Sequence, residues 1–322
     1  MTSMTNLRAT PRRQLGQSEL HVSPVGFGCW PIAGVSSLDV NDQDSLATIH
    51  AAIDSGINFF DTAYSYGYAG ESDRLLAKVL ANRRTEVVVA SKVGSHYRPD
   101  RQRIVDGRPE TLIAHAQESV QRLEVEYIDV MYLHEVDPQV PLAESAGAIA
   151  EIVRRGLARY AGVSNVNLNQ LQEFHTICPV VVVQPPFNIL QTTPVDEIHD
   201  FCQSQQISIA AYWVLMKGLL AGKMHRDHQF DPADRRLTYA VYQGQAWDRA
   251  QDLLDLLRQT AVELECTVAQ LVIAWTLQQP GITVALCGAK RPAQIVETAA
   301  AMPLELDASV LEAIYGWREV ST

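Results

Sequence analysis

Short apolar, β-branched runs alternate along the chain with longer stretches in which apolar residues recur every three or four positions. The first kind reads as strands buried on both faces, the second as amphipathic helices. Eight strands are predicted: VGFG at 25–28, INFF at 57–60, EVVVAS at 86–91, YIDVMYL at 127–133, ARYAGV at 158–163, VVVVQ at 180–184, ISIAAY at 207–212 and ITVALC at 282–287. A small hairpin, Arg13–Leu15 with His21–Val22, precedes the first. Helical patterns fall between the strands at 44–56, 71–82 and 109–123. The first closes on Gly56, a helix terminator, and the third opens near Pro109, whose missing N–H costs nothing in a first turn.

Strand–helix alternation of this kind predicts an α/β protein with a parallel sheet. At 322 residues the leading topology is a closed (β/α)8 TIM barrel with an N-terminal β-hairpin and extra helices. A doubly wound open sheet is the alternative. Two stretches interrupt the alternation: a polar, basic loop at 94–108 and a long segment after 212 that leads into a helix near 246–262. Long insertions after barrel strands usually carry specificity. No repeat, low-complexity tract or composition shift marks a boundary, so residues 1–322 read as one domain.

Composition narrows the choice. Hydrophobic residues make up 47 % and charged residues 20 %, which suits a globular core. The net charge of −11 argues against nucleic acid or an anionic membrane as partner, though a local cationic pocket remains compatible with an anionic small ligand. Cys29, Cys178, Cys202, Cys266 and Cys287 are scattered and form no CxxC pair, so neither a disulfide frame nor a zinc site is expected. Reduced thiols, no membrane-length apolar stretch and an N-terminus (MTSMTNLRATPRRQLG) without a secretory apolar run all predict a cytoplasmic protein.

In a barrel, chemistry gathers at the C-terminal ends of the strands. Those ends carry Asp61, Lys92, His134, Ser164 with Asn165, Gln184 and Tyr212, and Tyr66 follows Asp61 in the loop above it. A free phenol titrates near pH ~10, too high for easy proton exchange at neutrality. A neighbouring ammonium lowers that value, and Lys92 is placed to do so. A buried ammonium needs a counter-charge, which Asp61 supplies. His134 is placed to orient a carbonyl oxygen beside the phenol. The four suit proton delivery to a carbonyl whose carbon receives a hydride from a bound cofactor, because the chain offers no redox metal or dithiol motif. Asn165 and Gln184 could bond a nicotinamide carboxamide, and Tyr212 could stack on the ring.

These residues sit in NFFDTAYSYGYAGESDRLLAKVL, VVVASKVG, YIDVMYLHEVDP, YAGVSN and VVVQPPFNIL, and the chain carrying them in this order resembles the aldo-keto reductases. The resemblance covers about residues 12 to 302. It implies a (β/α)8 barrel that reduces an aldehyde or ketone with NADPH, NADH being the less favoured cofactor. By position it implies Tyr66 as proton donor, assisted by Asp61, Lys92 and His134. It implies cofactor contacts from Gly28, Cys29, Trp30, Asp61, Ser164, Asn165, Gln184 and Tyr212. The stretch around Trp213, Leu215 and Gly218 would lie along the pyrophosphate. Gly288, Lys290, Arg291, Gln294 and Glu297 would hold the adenosine end, the two cations reading a 2′-phosphate.

The chain also departs from the family. YWVLMKGLL (212–220) stands where Tyr-Ser-Pro-Leu is common, so either a phosphate contact is lost or the Trp213 ring turns into the substrate pocket. Thr298 stands where an asparagine often contacts adenine. Arg98, Arg101, Arg103 and Arg108 could attract an anionic substrate, and DPADRR (231–236) resembles a loop that some branches fold over the cofactor. His225 and His228 lack a ligand cluster, and no metal is expected. Auxiliary subunits of some potassium channels share this fold, so a nicotinamide-binding accessory subunit is the competing function. A metal-dependent barrel hydrolase is poorly supported, because the strand ends carry too few carboxylates and histidines. The oligomeric state is left open by the sequence, a monomer being plausible for a closed barrel, and the expected partner is a small carbonyl compound.

Overall fold

The computed structural model describes residues 12–36, 39–232 and 234–321. The N-terminal segment before Arg12 and Ala233 of the DPADRR stretch lie outside the described residues. Eight parallel strands close into a barrel in chain order: β1 (Val25–Gly28), β2 (Phe59–Asp61), β3 (Val88–Val93), β4 (Ile128–Leu133), β5 (Ala158–Ser164), β6 (Val182–Gln184), β7 (Ser208–Ala211) and β8 (Ile282–Cys287). The open-sheet alternative is thereby excluded.

Helices α1 (Asp42–Asp54), α2 (Glu71–Arg83), α3 (Pro109–Arg122), α4 (Leu142–Arg154) and α5 (Leu168–Ile177) follow the first five strands in turn. Two short helices, α6 (Thr193–Asp196) and α7 (His199–Ser204), follow β6. Next come α8 (Gly244–Glu263) and α9 (Val268–Leu277) before β8, then α10 (Pro292–Ala299) and α11 (Ala308–Ser321). Their starts are set locally. Asn41 accepts from the Asp44 N–H, and Asn167 with Gln170 and Thr267 with Gln270 form reciprocal caps. Pro109 occupies the first turn of α3, as expected. No single helix among the described residues is long and apolar enough to cross a membrane.

The period of two along each strand decides what lines the barrel. One set of residues packs outward against the helices in the main core. The other set fills the interior: Phe59, Val88 and Ala90, Val130 and Tyr132, Val182, Ala210, Val284 and Leu286. The hairpin of Arg13–Gln14 with His21–Val22 stoppers the base, adding Leu15, Leu20 and Val22 to that interior cluster. Counting two residues further up each strand from this apolar layer reaches Asp61, Lys92, His134, Gln184 and Tyr212. The polar strand ends are therefore the topmost layer of the same side-chain stack. Gly162 of β5 is needed for closeness: a Cβ there would lie 2.5 Å from Cδ1 of Tyr132, which fills the space beneath Lys92.

Several strand edges move relative to expectation. β2 starts at Phe59 and includes Asp61, and β3 runs on through Lys92 to Val93, because ladder bonds to the next strand continue to those residues. The stretch 94–108 is more than a loop. It folds into an antiparallel hairpin, Ser95–Tyr97 with Arg103–Val105, which its high charge concealed. Of its arginines, Arg103 pairs with Glu135 at 2.7 Å, Arg108 pairs with Asp106 at 2.5 Å, and Arg101 stands 4.7 Å from the Tyr68 ring centroid.

Candidate active site

Lys92 organises the mouth of the barrel. Its side chain is 1 % exposed, so the ammonium must find its partners inside the protein. It donates to Asp61 Oδ1, to the Thr62 carbonyl oxygen at 3.0 Å and to the Tyr66 hydroxyl at 3.1 Å. Three acceptors satisfy its three protons. The second oxygen of Asp61 accepts from Gln184 Nε2 at 2.8 Å. Trp30 meets the Tyr66 ring edge-on at 5.2 Å, and His134 meets it edge-on at 6.1 Å.

The electrostatics correct one expectation. Lys92 does pull the Tyr66 pKa down, but burial of the phenol and the Asp61 charge outweigh it, and the net shift is upward. The phenol is thus firmly protonated at neutral pH. Burial likewise works against the Lys92 ammonium, but the charges of Asp61 and Tyr66 raise its pKa overall. Burial, with Lys92 and Arg103 nearby, keeps His134 well below the usual imidazole range, hence neutral. Its buried Nδ1 has no hydrogen-bond partner among the described residues. Cys29 is inert, since burial and the Asp61 and Asp73 charges push its thiol far above the ordinary range.

The predicted cofactor residues fall in two groups. Around the mouth, Ser164 donates to the Gln184 carbonyl at 2.8 Å. Asn165, at φ 55°, donates to the His134 carbonyl at 2.9 Å and accepts from the Tyr212 hydroxyl at 2.7 Å. Gly28 pairs with Asp61 across β1 and β2, and Cys29 N–H donates to the Asp61 carbonyl at 2.9 Å. Gly288 packs against this end of β1, where a Cβ would lie 2.5 Å from Pro31 Cγ. The other group surrounds the start of α10. Gln294 accepts from the backbone N–H groups of Lys290 and Arg291 at 2.8 and 3.2 Å. Arg291 reaches the Asp39 carbonyl at 2.6 Å and the Asp44 carboxylate at 3.4 Å. Glu297 pairs with Lys223 at 3.4 Å. Thr298 is buried, and its hydroxyl donates to the carbonyls of Gln294 and Ile295 in its own helix.

Trp213 is held by neighbours that sequence reasoning missed. Its ring lies edge-on to Tyr212 at 5.2 Å and to Tyr239 at 6.3 Å. The Lys217 ammonium stands 4.1 Å from both the Trp213 and the Tyr239 centroids. Val214 is fully buried, as a proline replacement can be, and Leu215 packs partly against the core. The Gly218 N–H donates to the Leu215 carbonyl at 2.9 Å. Trp213, Met216 and Lys217 all have φ between 41° and 59°, a strained region for non-glycine residues that concentrates at functional turns. Thr62 was also missed. Its part is played by a main-chain carbonyl, which no residue type announces. No cluster of three or more metal-ligating side chains occurs among the described residues.

A closed parallel barrel with a lysine-centred Asp–Tyr–Lys cluster and a histidine at its C-terminal mouth defines a class of carbonyl oxidoreductases. The chain belongs to the aldo/keto reductase family, whose family model matches residues 24–319. Aldo-keto reductase YhdN of Bacillus subtilis (strain 168) is 30 % identical over 286 residues, covering 87 % of this chain and 85 % of that protein. The NADH-specific methylglyoxal reductase of Escherichia coli (strain K12) is 29 % identical over 307 residues, 91 % and 93 % of the two chains. A probable voltage-gated potassium channel subunit beta of Oryza sativa subsp. japonica is 30 % identical over 309 residues, 90 % of each. Among solved structures, the glycerol dehydrogenase AKR11B4 from Gluconobacter oxydans superposes with a TM-score of 0.89 at 29 % identity, covering 96 % and 95 %.

Proposed function

We propose that the protein reduces an aldehyde or ketone to the alcohol with NADPH, and that Tyr66 delivers the proton. The observation that carries this reading is the Lys92 ammonium shared between Asp61, Thr62 and the Tyr66 hydroxyl at the barrel mouth. A bound nicotinamide supplies the hydride. The protein supplies the proton and the geometry. Tyr66 is protonated in the resting site and gives its proton to the carbonyl oxygen. The phenolate that forms is stabilised by the adjacent ammonium, which Asp61 keeps charged. Neutral His134, with a buried ring nitrogen unsatisfied among the described residues, orients the carbonyl.

The half-buried Tyr212 ring and the amide groups of Asn165 and Gln184 suit a nicotinamide ring and its carboxamide. Binding there requires Asn165 and Gln184 to exchange bonds to Tyr212 and Asp61 for bonds to the cofactor. For the 2′-phosphate, support comes from Lys290 and Arg291 side by side before the first turn of α10. An NADH-specific relative makes the preference a point to measure. Four of the five cysteines are buried and none is bonded, which supports a reducing compartment such as the cytoplasm.

The rice relative favours one competing reading, an accessory subunit that binds the nucleotide with little turnover. One experiment separates the two: fluorescence titration with NADPH and NADH, followed by an aldehyde and ketone panel monitored at the NADPH absorbance. Tight NADPH binding with turnover is expected. Binding without turnover on any carbonyl would favour the accessory role.

A further inference from the structure

Behind the cluster at the mouth lies a second carboxylate that the mechanism above does not use. Asp73, in the first turn of α2, is fully buried. Its Oδ1 accepts from the Thr62 hydroxyl at 2.6 Å, and that hydroxyl also lies 2.9 Å from Ser72 Oγ. The carbonyl of the same Thr62 accepts from Lys92. Asp73 is therefore joined to the Lys92–Tyr66 pair through one residue. No donor among the described residues reaches Asp73 Oδ2, although the atom is buried.

We propose that Asp73 is a positioning residue for proton transfer: through Thr62 it holds the Lys92 ammonium in place, and its charge sets how readily Tyr66 releases its proton. The inference rests on the reductase reading. Around Asp73 stand Thr62, which bonds to it, Ser72, which meets the same Thr62 hydroxyl, Arg74 on its own helix, Lys92 on β3 and Arg122 on α3; Cys29 at the end of β1 feels its charge in turn. Burial raises the carboxyl to about 7, held from going higher chiefly by the Thr62 bond and by the Arg122 and Lys92 charges. Protonation of Asp73 removes a negative charge from beside Lys92. The whole cluster then favours loss of a proton, and Tyr66 becomes the stronger acid.

The wild-type reduction rate is expected to fall about fivefold as pH rises through neutrality, the scale of one buried charge acting on a nearby acid. Asp73→Asn removes that inflection from kcat while leaving the KM for cofactor unchanged. In protein labelled with [13C]tyrosine, the Tyr66 signal, identified by its loss in Tyr66→Phe, titrates at lower pH in Asp73→Asn than in wild type. If Asp73→Asn fails to fold, Thr62→Val serves: without its hydroxyl donor Asp73 titrates higher, and the rate inflection moves to higher pH, while Thr62→Ser brings it back. An unmoved Tyr66 titration and a wild-type rate profile in a folded variant overturn the proposal, even if stability falls. Failure of the reductase reading looks different: wild type then reduces no carbonyl, while the Tyr66 signal still shifts.

Discussion

The Lys92 ammonium donates to the Tyr66 hydroxyl across 3.1 Å, although one residue sits on β3 and the other in the loop after β2. Neighbouring strands bring them together, and the interior stack beneath fixes their height. The same ammonium stands 4.7 Å from the Tyr66 ring centroid and 6.0 Å from that of Tyr132 below. The phenol is held protonated with a cation beside it, the arrangement that the proposed role of Tyr66 as an acid requires.

Tyr66→Phe is expected to lower kcat for carbonyl reduction by at least ~100-fold, the usual contribution of a positioned general acid. Cofactor affinity should stay within about twofold. Stopped-flow reduction and fluorescence titration measure the two; retained turnover would remove Tyr66 from the mechanism.

Asp61→Asn leaves a fully buried ammonium without its counter-charge. Removing one partner of a buried pair typically destabilises by about 3–5 kcal/mol. Urea unfolding at neutral pH should show a loss of that order, and the pH–rate profile should shift, since Asp61 acts on both Lys92 and Tyr66. An unchanged profile would argue against the coupling.

Lys290→Ala combined with Arg291→Ala should weaken NADPH binding at least ~10-fold while NADH binding changes little, since charge-assisted bonds to the 2′-phosphate are absent from NADH. Paired titrations measure the ratio. Equal losses would mean that these cations do not read the phosphate, a result that Arg291's contacts to Asp39 and Asp44 would then explain as a structural role.

His115 predicts an acid-labile fold. Burial, with His96 adjacent, lowers its imidazole to about 4, while Tyr64 stacks on it at 3.7 Å. In the unfolded chain a histidine titrates near ~6.5. As pH falls the unfolded chain takes the proton first, so this contribution is intact above about 6.5 and is lost progressively toward pH 4. The loss is on the order of 3 kcal/mol. His115→Phe, which keeps the stack, should flatten the decline in unfolding free energy between pH 7 and 4.5. A slope parallel to that of wild type would assign the acid sensitivity elsewhere.

Much of this was written in local pattern. The alternation of β-branched runs with amphipathic helices announced the barrel, since each element's period is a property of its own residues. Asp61, Lys92, His134, Gln184 and Tyr212 were legible because a period of two carries each strand's inward face up to the same level. The hairpin at Ser95–Tyr97 and Arg103–Val105 was not legible, because its strands are only three residues long and are joined by main-chain bonds across a polar, charge-rich turn.

What only the tertiary structure decided is where charge and burial balance. Sequence reasoning placed a cation beside Tyr66 and expected an acidified phenol. The fold also buries the phenol and sets Asp61 beside the same ammonium, and those two effects outweigh the cation. Thr62 serves Lys92 through its carbonyl, Asp73 lies behind Thr62, and Lys217 stands between Trp213 and Tyr239. Such relationships depend on distances between residues far apart in the chain and on the water excluded from between them. The order of residues determines which groups are available; only the closed barrel sets their spacing and dielectric surroundings, and these determine which groups hold protons.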